Sequence, residues 1–264
     1  KTLRRALAQS CNSITAQITD SVGWGKVIEY AHKAGIISKL DSVPSICLGS
    51  SDVSVYEMTK AYSTFLNRGK RSDPIIVTKI YNSDGEMIGD FKSHMEQVID
   101  EETAWLMCYM LLGGLQEPGG TSQALWGYDI FPKNNEIAGK TGTTSNYSDA
   151  WYMGMTRDLV TGVWVGADYR SVHFRGGSGQ GSKAALPVFA KMLEAAYKDP
   201  LTELVPGPFP KPWTKIKRTY ICPVTPDSTE FDYLFFFFFY IEYPLDSNDI
   251  ISDSTVKINP EIFD

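Results

Sequence analysis

The sequence lacks several features that would have assigned it to a common class of protein. No run approaches the roughly 18 consecutive apolar residues of a membrane-spanning helix. The charged start, Lys1 to Arg5, is not followed by the apolar core of a signal peptide. Histidine is scarce, with 3 residues, and the 4 cysteines form no C-x-x-C pair. We therefore expect no metal site and no cofactor, and thiols that serve only in packing.

Positive charge is also too sparse for a nucleic-acid-binding surface. The net charge of the 264 residues is −6, and it is unevenly spread. Residues 1–218 carry 24 Lys and Arg against 22 Asp and Glu, whereas residues 219–264 carry Lys257 alone against 9 acids. No basic stripe exists to neutralise phosphates, so we expect no nucleic-acid partner.

What is present is an ordinary globular composition, 43% hydrophobic and 21% charged, with clear helical periodicity in the first half. The spacing predicts helices across residues 3–40, with a break at Ser10–Ser13. A capping box formed by Ser54 and Glu57 predicts a further helix start, and Asp100 is placed to cap the next. Between these two helices, residues 74–91 have the pattern of a β-hairpin.

The second half begins with strand-like segments and ends in a polar tail. A Gly- and Ser-rich loop, 173–182, precedes a helix at 184–198 that is expected to bury Val188, Leu193 and Ala196. The proline-rich stretch 199–218 is typical of a linker. The three predicted strands are 136–141, 150–155 and 160–167.

The tail, 219–264, is acidic but contains the aromatic run Phe235–Phe239. Three interpretations of this run stay open: a sheet-edge or aggregation-prone segment, a contact with a partner or membrane interface, or a sequence error.

Two short motifs have the residue types of a catalytic site. The first, Ser10-Cys11-Asn12, lies at the predicted break between helices, and the second, Lys140 to Thr144, reads Lys-Thr-Gly-Thr-Thr. Each alone is weak, because Ser10 and Asn12 would serve equally well as helix caps. An isolated Lys140 would most often be a solvated charge on a strand.

Together and in this order, the two motifs resemble those of the penicillin-interacting serine acyltransferases. Further blocks resemble the transpeptidase domains of class A (bifunctional) penicillin-binding proteins, over about residues 3–198. These blocks are Arg5–Asn12, Pro44–Ser50, Met58–Tyr62, Gly119–Ser122, Asp149–Trp151 and Gly162–Gly166.

The resemblance implies an α+β fold of the penicillin-binding protein and serine β-lactamase type, in which helices flank an antiparallel sheet. The cleft is expected between Lys140 and Ser10, with loop 173–182 close by. The family cross-links peptidoglycan stem peptides through a serine acyl-enzyme, and β-lactams bind to the same site.

The resemblance also implies roles for individual residues. Ser10 would relay a proton to the leaving amine, and Asn12 would bind the substrate amide. Lys140 would hold the proton network and supply a positive field. Thr141 and Thr143 would bind the substrate carboxylate through their hydroxyls, and Gly142 would let the backbone lie against the substrate. The N–H of Thr143 would also form part of the oxyanion hole. Thr144, the last residue of the motif, is a further substrate-binding candidate.

The nucleophile of the family, in a Ser-x-x-Lys motif, is missing from the expected place. Residues 1–9 contain no serine, and the string Ser254 to Lys257 lies in the acidic tail after the Lys-Thr-Gly motif, so we reject it. We expect residues 1–198 to be a partial transpeptidase domain, incomplete at its N-terminus and inactive alone. A glycosyltransferase domain and a membrane anchor would then lie upstream, at the extracytoplasmic face of the cytoplasmic membrane.

Two alternative functions remain at this point. One is a hydrolase of the same fold, either a D,D-carboxypeptidase or a serine β-lactamase, although no additional base for deacylation is evident. The other is a non-catalytic cell-wall scaffold, in which the motif residues have only a structural role.

Overall fold

The computed structural model describes residues 1–132 and 134–221. The aromatic run Phe235–Phe239, the Ser254 to Lys257 string and nearly all of the acidic tail therefore lie outside the described residues. The helices are α1 (Leu3–Ala8), α2 (Asn12–Val22), α3 (Trp24–Ala34), α4 (Val55–Leu66), α5 (Glu101–Gln116), α6 (Gly181–Ala184) and α7 (Leu186–Lys198).

Within the described residues, the strands form three separate antiparallel sheets. The two smaller sheets have two strands each. The largest sheet has three strands, whose order in the sheet is their order along the chain. The strands are β1 (Lys70–Ser72), β2 (Lys79–Tyr81), β3 (Met87–Asp90), β4 (Met95–Gln97), β5 (Ala138–Thr143), β6 (Asp149–Met155) and β7 (Val160–Gly166). The α+β class with an antiparallel sheet and flanking helices is thus confirmed.

The predicted break in the first helical region is confirmed, because α1 ends before Ser10 and α2 begins at Asn12. Ser10 has a φ of +52°, in the left-handed region that a serine seldom adopts. A hydrogen bond of 3.0 Å from the Cys11 N–H to the Ala6 carbonyl closes this turn. A second break at Gly23, which the periodicity did not indicate, separates α2 from α3 with a φ of +84°.

Helix α5 forms the centre of the described structure. As predicted, Asp100 caps its N-terminus, because the Asp100 carboxylate accepts a hydrogen bond of 2.8 Å from the Thr103 N–H. Helix α1 packs on one side of α5 and strand β5 on another. Gly114 of α5 makes the contact with β5 close, since a Cβ on Gly114 would lie 2.9 Å from the Gly139 carbonyl oxygen. The helix therefore fixes α1 relative to β5.

Helix α7 covers the three-stranded sheet, as the sequence predicts, but it presents a different face. Val188 is 50% exposed, so its prediction as a buried residue is wrong, whereas Phe189 and Leu193 are fully buried. The helix begins at Leu186, and the residues that share its inner face are Leu186, Phe189, Ala190 and Leu193. Gly154 of β6 makes room for the Phe189 ring, which would lie 2.4 Å from a Cβ there.

The proline-rich segment that follows α7 lies against the rest of the structure. Phe209 is only 5% exposed and belongs to the core between α5, β5 and β6. The Gly207 N–H donates a hydrogen bond of 2.9 Å to the side chain of Asn135, and the Phe209 N–H donates one of 2.8 Å to Glu136. Tyr220 packs edge-on against Trp105 of α5. We call residues 199–221 the strap.

Candidate active site

A cleft of about 650 Å³ opens between the α1–α2 junction and strand β5. Every residue predicted for the site lines it, although the two motifs are 130 residues apart in sequence. The residues brought together are Ser10, Asn12, Lys140, Thr141, Gly142, Thr143 and Thr144.

Lys140 connects the two sides of the cleft. Its ammonium donates hydrogen bonds to the Ser10 hydroxyl and, at 2.8 Å, to the Thr141 carbonyl oxygen. Burial of the ammonium lowers the pKa of Lys140 from 10.5 to about 8. At neutral pH the side chain therefore remains largely protonated. Among the described residues no carboxylate forms an ion pair with it, so the cleft contains an uncompensated positive charge.

The hydroxyls of the Lys-Thr-Gly-Thr-Thr motif have different surroundings. Thr141 donates a hydrogen bond of 2.9 Å to the hydroxyl of Thr121. Thr143 is exposed, and its hydroxyl accepts a hydrogen bond of 2.9 Å from the Gly181 N–H. Thr144 instead stabilises the following turn, because its hydroxyl accepts a hydrogen bond of 2.9 Å from the Asp149 N–H. The hydroxyls of Thr141 and Thr143 therefore lie in a position to meet a ligand in the cleft.

Gly142 has little space for a side chain beside its neighbour on the next strand. A Cβ there would lie 3.0 Å from the Cβ of Trp151, which is paired with Gly142 across β5 and β6. A Cβ on Gly181 would lie 2.4 Å from the carbonyl oxygens of both Gly142 and Trp151. These two glycines allow α6 to approach the edge of the site, and this is why the Gly181 N–H reaches Thr143.

Asn12 is the first residue of α2 and is exposed at the cleft. Its side-chain amide has no hydrogen-bond partner within the described ranges, 1–132 and 134–221. Cys11 occupies the N-cap position of α2 and its side chain makes no capping hydrogen bond, so neither Ser10 nor Asn12 caps this helix. Asn12 is therefore free to bind a ligand, and the capping interpretation of Ser10 and Asn12 does not account for their placement.

The cleft also contains residues that the sequence analysis did not single out for the site. Thr121 belongs to the Gly119–Ser122 block, so its position in a family motif was the available signal. Gln180 and Ser182 lie in or beside the Gly-rich loop, whose approach to the cleft is confirmed. Leu7 lies in the Arg5–Asn12 block, and Cys47 and Leu48 lie in the Pro44–Ser50 block, so the same signal was available for them. The other lining residues carry no distinctive sequence pattern: Thr15, Ser145 and Tyr147.

The turn after β5 is held by the carboxylate of Asp149. The Trp164 indole N–H donates to it at 3.0 Å and the Ser148 hydroxyl at 2.7 Å. Partial burial acts to raise the pKa of Asp149, but these hydrogen bonds outweigh it and the pKa lies below its usual value. Asp149 thus remains ionised and fixes the end of the strand that carries Lys140.

The described residues contain no cluster of His, Cys, Asp or Glu suited to a metal ion. No helix among them has the length and apolar character needed to cross a bilayer.

The chain matches the family model of the penicillin-binding protein transpeptidase domain over residues 1–194. It is 33% identical over 208 residues to penicillin-binding protein 1A of Aquifex aeolicus, covering 78% of this chain and 27% of that protein. It is 32% identical over 203 residues to penicillin-binding protein 1A of Neisseria cinerea, covering 75% of this chain and 24% of that protein. The chain therefore spans about a quarter of the length of these relatives.

Solved structures have the same fold. The crystal structure of penicillin-binding protein 1A from Haemophilus influenzae superposes with a TM-score of 0.67 at 24% identity, over 75% of this chain and 34% of that one. PonA1 from Mycobacterium tuberculosis, solved in complex with penicillin V, gives a TM-score of 0.68 at 23% identity, over 84% of this chain and 62% of that one. By its family match, supported by its fold, this chain belongs to the penicillin-binding protein transpeptidase domain family and resembles the transpeptidase portion of penicillin-binding protein 1A.

Proposed function

We propose that this chain is the substrate-binding part of a peptidoglycan D,D-transpeptidase. The single observation that carries the proposal is the contact between the Lys140 ammonium and the Ser10 hydroxyl inside the cleft. An ammonium without a carboxylate partner attracts an anionic ligand, and a stem peptide ends in a carboxylate. The same feature suits the carboxylate of a β-lactam.

The proposed chemistry begins with binding of that carboxylate near Lys140 and the threonine hydroxyls of β5. A serine oxygen attacks the carbonyl carbon of the penultimate D-alanine, and the Thr143 N–H stabilises the oxyanion. Ser10 passes the serine proton to the departing D-alanine nitrogen as the C–N bond breaks. Asn12 holds the peptide amide. The amine of a second stem peptide then displaces the serine and forms the cross-link.

The attacking serine is proposed to come from residues outside this chain. Residues 1–9 contain no serine, and the Ser254 to Lys257 string follows the Lys-Thr-Gly motif. We therefore divide the chain into a partial transpeptidase domain (1–198), a proline-rich connecting segment (199–218) and an acidic tail (219–264). The complete protein would also carry a glycosyltransferase domain and a membrane anchor, and would act in the cell envelope on peptidoglycan stem peptides.

Labelling with fluorescent penicillin tests whether the nucleophile lies outside this chain. We expect no covalent label on residues 1–264, and label on a longer gene product that includes a Ser-x-x-Lys segment before Lys1. Label on the isolated chain would refute the proposal of inactivity. In the longer product, Lys140→Ala should abolish labelling, and unchanged cross-linking in that variant would favour the non-catalytic scaffold. Product analysis with an acceptor amine separates transfer from hydrolysis.

A further inference from the structure

An ion pair between Arg170 and Asp52 joins the two sides of the cleft at one end. The Arg170 guanidinium donates a hydrogen bond to the Asp52 carboxylate. Arg170 lies in the loop between β7 and α6, residues 167–180, which we call the β7–α6 loop. Asp52 lies in the segment that precedes α4. Neither residue belongs to the two motifs of the site, so the pair has no part in the chemistry described so far.

Asp52 belongs to the wall of the cleft that contains α2. The short 3₁₀ helix Pro44–Leu48 packs against α2, and its last two residues, Cys47 and Leu48, line the cleft. Only residues 49–51 separate Leu48 from Asp52. The Asp52 carboxylate is therefore placed close to the end of this wall.

Arg170 belongs to the opposite wall, which carries Lys140. Its carbonyl oxygen accepts a hydrogen bond of 3.3 Å from the side-chain amide of Asn146, in the turn between β5 and β6. In the same turn, the Tyr147 carbonyl oxygen accepts a hydrogen bond of 3.2 Å from the Phe174 N–H, and Tyr147 lines the cleft. The β7–α6 loop is thus attached to this wall at two points.

The β7–α6 loop has few contacts that would hold it across the cleft. Residues 168–176 are all exposed, including the large apolar side chains of Tyr169, Val172 and Phe174. Among the described residues, the bond with Asp52 is the one ion pair or hydrogen bond that joins this loop to the wall containing α2. A segment with so little buried surface opens at a low cost in free energy.

A second carboxylate lies on the same side of the cleft as Arg170. Asp149, the first residue of β6, interacts electrostatically with Arg170 and is fixed by hydrogen bonds from Trp164 and Ser148. The side chains of Arg170 and Asp52 are 66% and 87% exposed, so water and salt compete with their pairing. When the pair breaks, Arg170 therefore keeps a carboxylate neighbour on its own wall.

We propose that the Asp52–Arg170 ion pair is a latch that controls access to this end of the cleft. While the pair is formed, the β7–α6 loop is tied to the opposite wall. When the pair breaks, Arg170 turns toward Asp149 and the loop moves aside, so that a larger molecule enters. The inference concerns entry into the cleft, whatever ligand binds there, and it goes beyond the proposed function.

The free thiol of Cys47 reports on this access, because it lines the cleft and is partly buried. The probe is fluorescein maleimide, a bulky thiol reagent, and peptide mass spectrometry follows labelling at each cysteine of the 264-residue chain. At low salt, Asp52→Asn and Arg170→Gln should each label Cys47 about threefold faster than the unmodified chain, the effect of losing one exposed ion pair. Iodoacetamide, a much smaller reagent, should show a smaller difference.

Two further variants and a change of salt serve as controls. The double variant Asp52→Arg with Arg170→Asp rebuilds an ion pair in the reverse direction and should return the labelling rate toward that of the unmodified chain. Glu96→Gln removes a comparable ion pair, with Arg71, from residues that do not line the cleft, and should leave the rate at Cys47 unchanged. At about 1 M salt, which screens exposed charges, the single variants should no longer differ from the unmodified chain.

Cys108, a buried cysteine of α5, distinguishes opening of the cleft from unfolding. Faster labelling of Cys47 with no change at Cys108, reversed in the double variant, supports the latch. Equal labelling of Cys47 in the unmodified chain and both single variants overturns it. A rise that Cys108 or Glu96→Gln shares also overturns it, because the effect would then not be specific to this ion pair. No peptide or β-lactam is used, so a negative result leaves the proposed function standing.

Discussion

At the scale of single residues, burial of the Lys140 ammonium in the cleft lowers the stability of the folded protein. Its ammonium is partly withdrawn from water and, within the described residues, has only neutral hydrogen-bond partners, which lowers its pKa to about 8. Below that pH the charged form is present in both the folded and the unfolded chain, and the folded state bears the desolvation cost. An anionic ligand would relieve that cost.

We predict that Lys140→Met increases the free energy of unfolding by about 2 kcal/mol at pH 7, because it removes this desolvation cost. Between pH 8 and 10.5 the unfolded chain binds more protons at Lys140 than the folded chain does. The stability of the unmodified protein should therefore rise over this window relative to the variant, and the difference should vanish near pH 10.5. Urea unfolding at pH 7 and 10 measures it, and a pH-independent difference would contradict the explanation.

At the scale of elements, close approaches between glycines and neighbouring elements position the site. Gly181 brings α6 against β5 and β6, and its N–H reaches Thr143 because no side chain intervenes. Gly25 of α3, by contrast, has no atom within 4 Å of where a Cβ would lie.

We predict that Gly181→Ala destabilises the protein by about 1–3 kcal/mol, because its Cβ would lie 2.4 Å from two carbonyl oxygens. Gly25→Ala is the matched control, and it should stabilise by about 0.5–1 kcal/mol because alanine is the better helix former. Thermal unfolding of the two variants provides the measurement. A neutral Gly181→Ala would mean that α6 can move away from the sheet without loss.

The buried carboxylate of Glu57, in the first turn of α4, accepts an unusually large number of hydrogen bonds. It accepts hydrogen bonds from the N–H groups of Ser54, Ile37 and Ser38 and from both serine hydroxyls. The backbone bond from Ser54 is the largest of the effects that lower the pKa of Glu57 to about 2.

We predict that Glu57→Gln destabilises the protein by about 1–3 kcal/mol at pH 7, because an amide cannot accept all of these donors. The depressed pKa means that the carboxylate stabilises the fold above pH 4.5 and that this contribution is lost as the pH falls toward 2. The difference between the two proteins should therefore narrow in acid, which chemical denaturation at pH 7 and 3 would detect. Equal differences at both pH values would argue against a role for the charge.

Features that are set by a short segment of sequence were predictable, and features that are set by packing between distant segments were not. The three strands and the break at Ser10 followed from periodicity, and the convergence of Ser10 with Lys140 followed from the family resemblance. Strands β1 and β4 were not anticipated, since three residues each show no alternation. The bond between Thr121 and Thr141 and the burial of Phe209 depend on long-range packing, which no local pattern reveals.

At the scale of the whole molecule, the strap joins elements that are far apart in the chain. Phe209 fills the core beside β5, and Trp213 stacks on the Arg68 guanidinium with 4.0 Å to the ring centroid. Tyr220 contacts Tyr109, which in turn lies under the guanidinium of Arg4 in α1. The segment after α7 is therefore packed against the elements that carry the site.

We predict that Phe209→Ala destabilises the protein by about 3–5 kcal/mol, as expected for a buried phenylalanine. Leu201→Ala, in a side chain that is 88% exposed, is the control and should change stability by less than about 0.5 kcal/mol. Truncation after residue 202 should resemble Phe209→Ala or be more severe. A chain that ends at 202 and melts at the same temperature would show that the strap is dispensable.

The close contact between Gly114 and Gly139 has a further consequence. Because α5 contacts both α1 and β5, moving β5 away from α5 would shift Lys140 relative to Ser10. Gly114→Ala would force such a movement without altering any residue that lines the cleft. The binding properties of the cleft would then change through a substitution that no ligand touches.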